Sequence, residues 1–200
     1  MSEFGIISNG KEGDMLKIEL GGGLYPKGDG FVNVDLLDFK SVDEQCDFEK
    51  DPLPFKDNSV DEIFSGHCFE HLTSCGHIIR EIMRVAKNGC KIEIRTPHPS
   101  HDLAMCPAYM PFGGHKAIFS TWWWTDVLTH FAKDWFKDSG RIIIDDFWFH
   151  KCDDYDNHPK NLIPQKLKDL FDSEEQFEEF GRTHLRNYIT EFSMIGHVEK

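Results

Sequence analysis

The stretch LKIELGGGLYPKGDGFVNVD, residues 16–35, decides the fold of this chain. Apolar residues alternate through 16–20, three glycines follow at 21–23, and a second apolar run at 31–34 ends on Asp35. Alternation at period two indicates a β-strand, and glycine, which has no Cβ, allows positive φ and a close approach to a ligand. At the carboxyl edge of an open α/β sheet, such a turn is where nucleotide-like ligands bind. The stretch therefore predicts a strand, a glycine turn and a second strand whose terminal carboxylate can accept both hydroxyl protons of a ribose.

The connection between these two predicted strands is short, since only residues 24–30 separate the glycine turn from the second strand. A dinucleotide-binding Rossmann unit needs a crossover helix and places its acidic residue about 20 positions further on. Asp35 comes too early for that arrangement, which argues against NAD as the cofactor. Parallel strands also need a longer connection as a rule, so a hairpin between the two strands is the simpler structural alternative.

Composition and charge limit the class of protein. The chain has 200 residues, of which 40% are hydrophobic, and a formal net charge of −13. This length predicts one globular domain, residues 1–200, and the negative charge argues against nucleic acid as a partner. No apolar run approaches the roughly 20 residues that span a membrane, and the N-terminus lacks the pattern of a signal peptide. The scattered cysteines, without a CxxC pair, are typical of reduced thiols, so we expect a cytoplasmic protein without membrane contact.

Beyond residue 35, strands dominate the first hundred residues and few helices lie between them. One clear helix can be capped by Thr73 or Ser74 and is expected to end at Asn88-Gly89. Because helices are few, one sheet face would be uncovered, and we expect the aromatic second half of the chain or a partner subunit to cover it. The other predicted elements are strands at 46–48, 60–64, 90–96, 141–149 and 188–198, a helix at 122–136 capped by Thr121, and one or two helices at 163–180.

Four segments of the sequence carry a resemblance to a known family. They are ELGGG at 19–23, VNVD at 32–35, CDFEKDPLPFKDNSVDEIFSGHCFEHL at 46–72 and REIMRVAKNGCKIEIRTPH at 80–98. Together they resemble the small class I S-adenosylmethionine-dependent methyltransferases of the type 11 group. The resemblance implies an α/β, Rossmann-like sheet, mostly parallel with an antiparallel last strand and with reduced helices on one face. It also implies S-adenosylmethionine as cofactor, a cofactor-binding core at 16–98, and acceptor-side and covering elements at 99–200.

The resemblance also implies which residues bind the cofactor. The fuller first motif of the family is acid-x-Gly-x-Gly-x-Gly, and here Tyr25 stands at the third glycine position. The implied residues are Glu19, Gly21, Gly22 and Gly23 around the methionine part, Asp35 at the ribose hydroxyls, Leu36 on the adenine, Asp47 and Phe48 at the adenine edge, and Ser65, Gly66 and His67 near the sulfonium.

The chemistry of methyl transfer asks little of the protein beyond holding the acceptor in line with the sulfonium carbon. An oxygen or nitrogen acceptor can use a general base, and histidine suits that role near neutral pH. His67 and His98 follow predicted strands that flank the cofactor in such sheets, so they are the candidate catalytic residues. For each of them an ordinary capping, core or surface role is the alternative. The acidic charge favours a small-molecule acceptor over nucleic acid, while protein and sugar acceptors and a homo-oligomer stay open.

Two rival functions are compatible with the sequence. His67 and His71 are four apart and would share a helix face, and His98 and His101 could add ligands, which gives a metal-dependent hydrolase. No HExxH pattern supports that reading, and it leaves the glycine turn and Asp35 unexplained. The other rival is a non-catalytic module that binds the cofactor, and turnover with an acceptor would distinguish it from an enzyme.

Overall fold

The sheet of this protein contains seven strands in the order β3-β2-β1-β4-β5-β7-β6. The computed structural model describes residues 15–101, 104, 114–126, 128, 140–151, 171–173, 175–176 and 189–200. Two α-helices, α1 (Gly76–Val85) and α2 (Thr121–Asp126), and a 3₁₀ turn, Phe69–His71, accompany the sheet. The strands are β1 Lys17–Leu20, β2 Phe31–Asp35, β3 Glu44–Gln45, β4 Val60–Gly66, β5 Ala86–Pro97, β6 Arg141–Lys151 and β7 Ile189–Glu199.

The strand directions match the predicted fold class. The strands β3, β2, β1, β4 and β5 pair in parallel. The last strand, β7, runs antiparallel to both β5 and β6. The strand order reverses between β1 and β4, and the crevice outside the carboxyl ends at such a switch point is where open α/β sheets bind ligands.

The connection between β1 and β2 shows that the hairpin alternative was wrong. The two strands are parallel, with Ile18 opposite Val32, and no helix lies between them. A short strand needs only a short return, because an extended chain covers about 3.3 Å per residue. Gly21, Gly23 and Gly28 all have positive φ, so the connection turns back within a few residues.

One face of the sheet carries the hydrophobic core. Successive side chains of a strand point to opposite faces, and Ile18 of β1, Ile63 of β4 and Ile92 of β5 are neighbours across the parallel register. These residues form one buried cluster with Ile78 and Ile82 of α1. The apolar stripe of α1 is therefore what covers this face.

The opposite face of the sheet is charged. Lys17 pairs with Glu62 at 3.2 Å, and Arg95 pairs with Glu93 at 3.0 Å. The ammonium of Lys27, from the β1–β2 connection, lies 3.8 Å from the centroid of the Phe64 ring, over which it forms a cation–π contact. We call this surface the charged face, and its ion pairs satisfy its charged side chains.

The aromatic second half was expected to cover the charged face, but two of its residues, Phe119 and Trp124, lie in the core on the other side of the sheet. Phe119 and Trp124 are buried in the same cluster as α1. Both contact Phe69, with ring centroids 6.5 Å and 5.8 Å away. They therefore close the core at the 3₁₀ turn that follows β4.

Several predicted boundaries need correction. The predicted strand at 46–48 is a turn, because the N–H groups of Lys50 and Asp51 both bond to the carbonyl of Asp47, and the strand β3 ends at residue 45. The N-cap of α1 is Cys75, without a side-chain cap, whereas the N–H groups of Thr73 and Ser74 bind the carboxylate of Glu49.

The end of α1 also differs from the prediction. The helix stops at Val85, and β5 begins at Ala86. Gly89, with φ of 80°, lies at an irregularity of the β4–β5 pairing. Its left-handed backbone serves a bulge in the strand and not a helix stop.

In the C-terminal half, Ser120 and not Thr121 caps α2, because its hydroxyl accepts the N–H of Trp123 at 3.1 Å. Strands β6 and β7 lie where they were predicted. The predicted helical residues 129–136 and most of 163–180 lie outside the described residues. None of the helices in the described part of the chain has the length and apolarity to cross a membrane.

The thiols behave as buried core groups. Cys46, Cys75 and Cys90 are buried, Cys68 is partly exposed, and all four are free. Burial raises the pKa of Cys46, of Cys75 and of Cys90 to about 12. These side chains therefore stay protonated and pack as small apolar groups.

Candidate active site

The glycine turn after β1 is packed tightly on two sides. A Cβ added to Gly21, whose φ is 80°, would lie 2.5 Å from the Cβ of Cys68. A Cβ added to Gly22 would lie 2.5 Å from the Oδ1 of Asn33. Gly23 has more room, since its nearest neighbour is the Oδ2 of Asp35 at 3.9 Å. The first two glycines are therefore required by packing, and the third faces the carboxylate at the end of β2.

Asp35 joins the glycine turn to the turn after β2. Its Oδ2 accepts the N–H of Gly23 at 3.0 Å, and its Oδ1 accepts the N–H of Leu37 at 2.9 Å. Each carboxylate oxygen has a second lone pair, so Asp35 can still accept two hydroxyl protons. The neighbouring Leu36 is 52% exposed, which leaves an apolar surface beside the carboxylate.

Glu19 and Asn33 stabilise the glycine turn from the strands beside it. Glu19 is buried, and its Oε2 accepts the N–H of Lys27 at 2.6 Å. Burial raises the pKa of Glu19, although the hydrogen bond and the charge of Lys27 oppose that effect. The Nδ2 of Asn33 donates to the carbonyls of Ser41 and Gly23, at 2.8 Å and 3.3 Å. Sequence reasoning missed Asn33, whose signal was a polar residue inside the apolar run VNVD.

Asp47 and Phe48 lie next to this region. The N–H of Cys46 bonds to the carbonyl of Asp35 at 2.9 Å, which brings the turn beside the end of β2. The hydrogen bond from Lys50, at 2.6 Å, and that from the N–H of Glu49 lower the pKa of Asp47. Phe48 is buried in the core cluster. The carboxylate thus stabilises its own turn, and the implied contact of both residues with adenine stays a prediction.

The end of β4 is tied to the end of β1. Ser65 is fully buried, and its hydroxyl donates to the carbonyl of Leu20 at 2.9 Å. Gly66 ends the strand, and a Cβ there would lie 3.3 Å from the Phe64 ring. His67 follows with φ of 54°, a left-handed conformation that is uncommon for residues other than glycine. The residues predicted near the sulfonium therefore lie at the carboxyl edge, beside the glycine turn.

His67 lies between two buried carboxylates, and we call the three residues His67, Glu70 and Glu191 the His67 clamp. Its Nδ1 is 3.1 Å from Glu70 and its Nε2 is 2.5 Å from Glu191. Burial lowers the pKa of His67, but the two carboxylates outweigh it and raise that pKa to about 9. An ionised carboxylate only accepts hydrogen bonds, so both ring nitrogens donate and the ring is an imidazolium. This geometry argues against the prediction that His67 is a general base.

His98, the other predicted catalytic residue, is a neutral imidazole. It follows Pro97 of β5, which is paired with Glu191 of the clamp. Its Nδ1 accepts the N–H of Ser100 at 3.2 Å and lies 2.8 Å from the hydroxyl of that serine. Burial, and to a lesser extent the charge of His101, lower the pKa of His98. Of the two histidines, only His98 can therefore accept a proton at neutral pH.

The four histidines of the hydrolase alternative do not assemble. His71 lies against His115, with ring centroids 4.9 Å apart, while His98 and His101 share a turn in which the N–H of His101 bonds to the carbonyl of His98. The segment after β4 is a 3₁₀ turn and not the α-helix that would put His67 and His71 on one face. Among the described residues, the group with ligand atoms close together is Glu70, His71 and His115.

Known proteins resemble this chain in both sequence and fold. A family model described as "Methyltransferase domain" matches residues 32–94. A methyltransferase from Archaeoglobus fulgidus that depends on S-adenosylmethionine has a similar structure, with a TM-score of 0.50 and 14% identity over 92% of this chain and 86% of that one. The cyclase SpnF gives a TM-score of 0.52 at 12% identity, over 94% of this chain and 75% of that one. No curated protein matches the sequence at a significant level.

The strand order, the antiparallel β7 and the glycine turn at the carboxyl end of β1 define the class I methyltransferase fold. A methyltransferase domain is matched at residues 32–94, so the chain is similar to S-adenosylmethionine-dependent methyltransferases both in that segment and in fold. This similarity agrees with the predicted fold, enzyme class and cofactor, and it gives no support to a hydrolase.

Proposed function

We propose that this enzyme transfers the methyl group of S-adenosylmethionine to a small molecule, with the cofactor at the carboxyl ends of β1, β2 and β4. The observation that carries the proposal is the contact between Asp35 and Gly23, which joins the glycine turn to the acidic end of the adjacent parallel strand. A carboxylate fixed beside an open glycine turn suits the ribose, whose two hydroxyls are donors. The exposed Leu36 beside it suits the apolar face of adenine.

The remaining cofactor residues are assigned on the same basis. Glu19, Gly21 and Gly22 shape the turn that receives the methionine part, while Ser65 and Gly66 fix the end of β4 near the sulfonium. Asp47 and Phe48 keep their implied place at the adenine edge.

In the proposed reaction the acceptor attacks the methyl carbon, the bond from carbon to sulfur breaks, and an acceptor that carries a proton loses it. The imidazolium of His67 cannot take that proton, so we assign it to position the edge of the site through Glu70 and Glu191. Where the acceptor needs a base, we assign His98, which would release the N–H of Ser100 to use its Nδ1. The net charge of −13 favours a small molecule over a polyanion as the acceptor.

The proposed location is the cytoplasm. The four free thiols among the described residues support a reducing compartment.

The cofactor site is tested by calorimetric titration with S-adenosylhomocysteine, with NAD as a negative control. Micromolar binding, about −8 kcal/mol, is expected for the natural sequence. Asp35→Asn should lose about 1–3 kcal/mol, because an acceptor in a hydrogen-bonded site is replaced by a group that is half donor. Asp38→Asn makes the same change of charge at an exposed position in the next turn, and it should bind normally.

Absence of binding by the natural sequence would overturn the proposed site. Equal affinities for Asp35→Asn and Asp38→Asn would overturn the assignment of Asp35 to the ribose while leaving the enzyme class intact.

A further inference from the structure

Glu70, His71 and His115 meet beside the candidate active site, and we call them the Glu70 cluster. One ligand atom from each residue lies within 4.8 Å of the other two. Glu70 and His71 belong to the 3₁₀ turn after β4, while His115 comes from the segment that leads to α2. The two segments are held together by backbone hydrogen bonds, since the N–H groups of Lys116 and Ala117 both bond to the carbonyl of Glu70, at 2.7 Å and 3.1 Å.

Each residue of the Glu70 cluster has one polar atom that is buried without a hydrogen-bond partner in the described part of the chain. These atoms are the Oε2 of Glu70, the Nδ1 of His71 and the Nδ1 of His115. Glu70 is 1% exposed. A buried polar atom without a partner costs about 1–3 kcal/mol, and more when it is charged. Three such atoms on neighbouring side chains are therefore a feature that calls for a ligand.

The chemistry of these atoms selects the ligand. Two imidazole nitrogens and one carboxylate oxygen are the donors that zinc and similar divalent transition metals prefer. Calcium and magnesium bind oxygen ligands instead. A water molecule could bond to some of these three atoms, but a carboxylate and two imidazole nitrogens are together better suited to bind a cation.

We propose that Glu70, His71 and His115 bind a divalent transition-metal ion such as zinc, with a fourth position open to water. Zinc–nitrogen bonds of about 2.0–2.1 Å place tetrahedral ligand atoms about 3.3 Å apart. The side chains must therefore close by one to two ångströms, which rotation about their own χ angles provides. This proposal is independent of the acceptor and of the assignment of Asp35.

The His67 clamp supports this site. His67 binds the Oε1 of Glu70 at 3.1 Å, which leaves the Oε2 of the same carboxylate, buried without a partner, to bind a metal ion. Ligating carboxylates in metal sites are commonly held by such a second hydrogen bond. The metal would join the 3₁₀ turn after β4 to the segment before α2, and so order the acceptor side of the enzyme against the cofactor side.

The experiment is calorimetric titration of the metal-stripped full chain with zinc chloride, followed by thermal unfolding with and without zinc. We expect one zinc per chain and a higher midpoint of unfolding with zinc. His71→Ala and His115→Ala should each weaken zinc binding by about 100-fold or more, because removing a group that merely orients a ligand already costs 10–100-fold. The control is His197→Gln, a histidine on the charged face that contacts Asp145, and it should bind zinc normally.

The cobalt form adds a readout that does not depend on activity. Cobalt bound to the natural sequence should show the visible absorption of a four-coordinate nitrogen and oxygen site, and His115→Ala should lack it. His115 is only partly buried, so His115→Ala should stay folded and bind S-adenosylhomocysteine even if His71→Ala does not fold. The proposal is overturned if the natural sequence takes up no zinc, or if His115→Ala, folded by circular dichroism, binds zinc as tightly as the natural sequence.

Discussion

Gly21 offers a sharp test of how the glycine turn is built. In Gly21→Ala the new Cβ would lie 2.5 Å from the Cβ of Cys68 and 2.6 Å from its Sγ. The Cβ of Cys68 cannot move without its backbone, so this contact forces the segment after β4 away from the end of β1. The φ of 80° at Gly21 adds a second penalty, because an L-residue is strained there.

The magnitude follows from these two effects. A left-handed conformation costs about 1–2 kcal/mol for a residue with a Cβ, and overpacking a tight site costs about 1–3 kcal/mol. Gly21→Ala should therefore lower the free energy of unfolding by roughly 2–5 kcal/mol. Gly89→Ala is a matched control, because Gly89 has the same φ of 80° but no atom within 4 Å of the added Cβ. It should lose only about 1–2 kcal/mol.

The assay is urea denaturation of the two variants and the natural sequence, followed by titration with S-adenosylhomocysteine. Any effect of alanine on the unfolded chain is common to both variants, so their difference isolates the contact with Cys68. Gly21→Ala should also bind the cofactor product more weakly, while Gly89→Ala should bind it normally. Equal losses of unfolding free energy in the two variants would refute the argument that Cys68 packs against the turn.

Two further predictions concern the histidines. His67→Ala should lower the free energy of unfolding by about 1–3 kcal/mol, because the buried Glu70 and Glu191 each lose a hydrogen-bond donor, although Glu191 keeps its ion pair with Arg95. Adding Glu70→Gln should recover part of that loss in urea denaturation, and strictly additive losses would contradict the clamp. The pKa of His98 is lowered from 6.5 in the folded protein, so the unfolded chain takes up the proton first and stability is lost as the pH falls from about 6.5 through the folded value. Between pH 7.5 and pH 5.5, His98→Gln should lose less unfolding free energy than the natural sequence, and identical losses would show that His98 does not contribute.

The fold was readable from the sequence wherever a local pattern and the tertiary structure agree. The strand at 16–20, the glycine turn and the strand ending on Asp35 were predicted, as was the antiparallel strand at the end of the chain. The end of α1 was predicted wrongly because Gly89 has the backbone of a helix stop but uses it in a bulge. Only the pairing of β4 with β5 decides between those two uses, and that pairing is not local.

The candidate site was readable only in part, for a related reason. Glycines and carboxylates at strand ends can be recognised from the local sequence, and the structure places Asp35 beside Gly23. Nothing local links His67 to Glu191, which is 124 residues further along the chain. The spacing of His67 and His71 suggested that both lie on one helix face. The backbone at His67 is left-handed and a 3₁₀ turn follows it, so His67 contacts Glu70 and Glu191 while His71 contacts His115.

The charged face has no helix packed on it in the described part of the chain, and its side chains account for this. Parallel sheets are normally covered on both faces, and their strands are then continuous apolar runs. Here β1 and β5 alternate instead, with Lys17 and Glu93 among the residues on the charged face, while both described helices belong to the core cluster on the other face. The proposed cofactor site lies at the carboxyl edge of the sheet, so it does not depend on what covers the charged face. In the described part of the chain, the alternation of β1 and β5 is therefore the sequence signal that distinguishes the charged face from the core face.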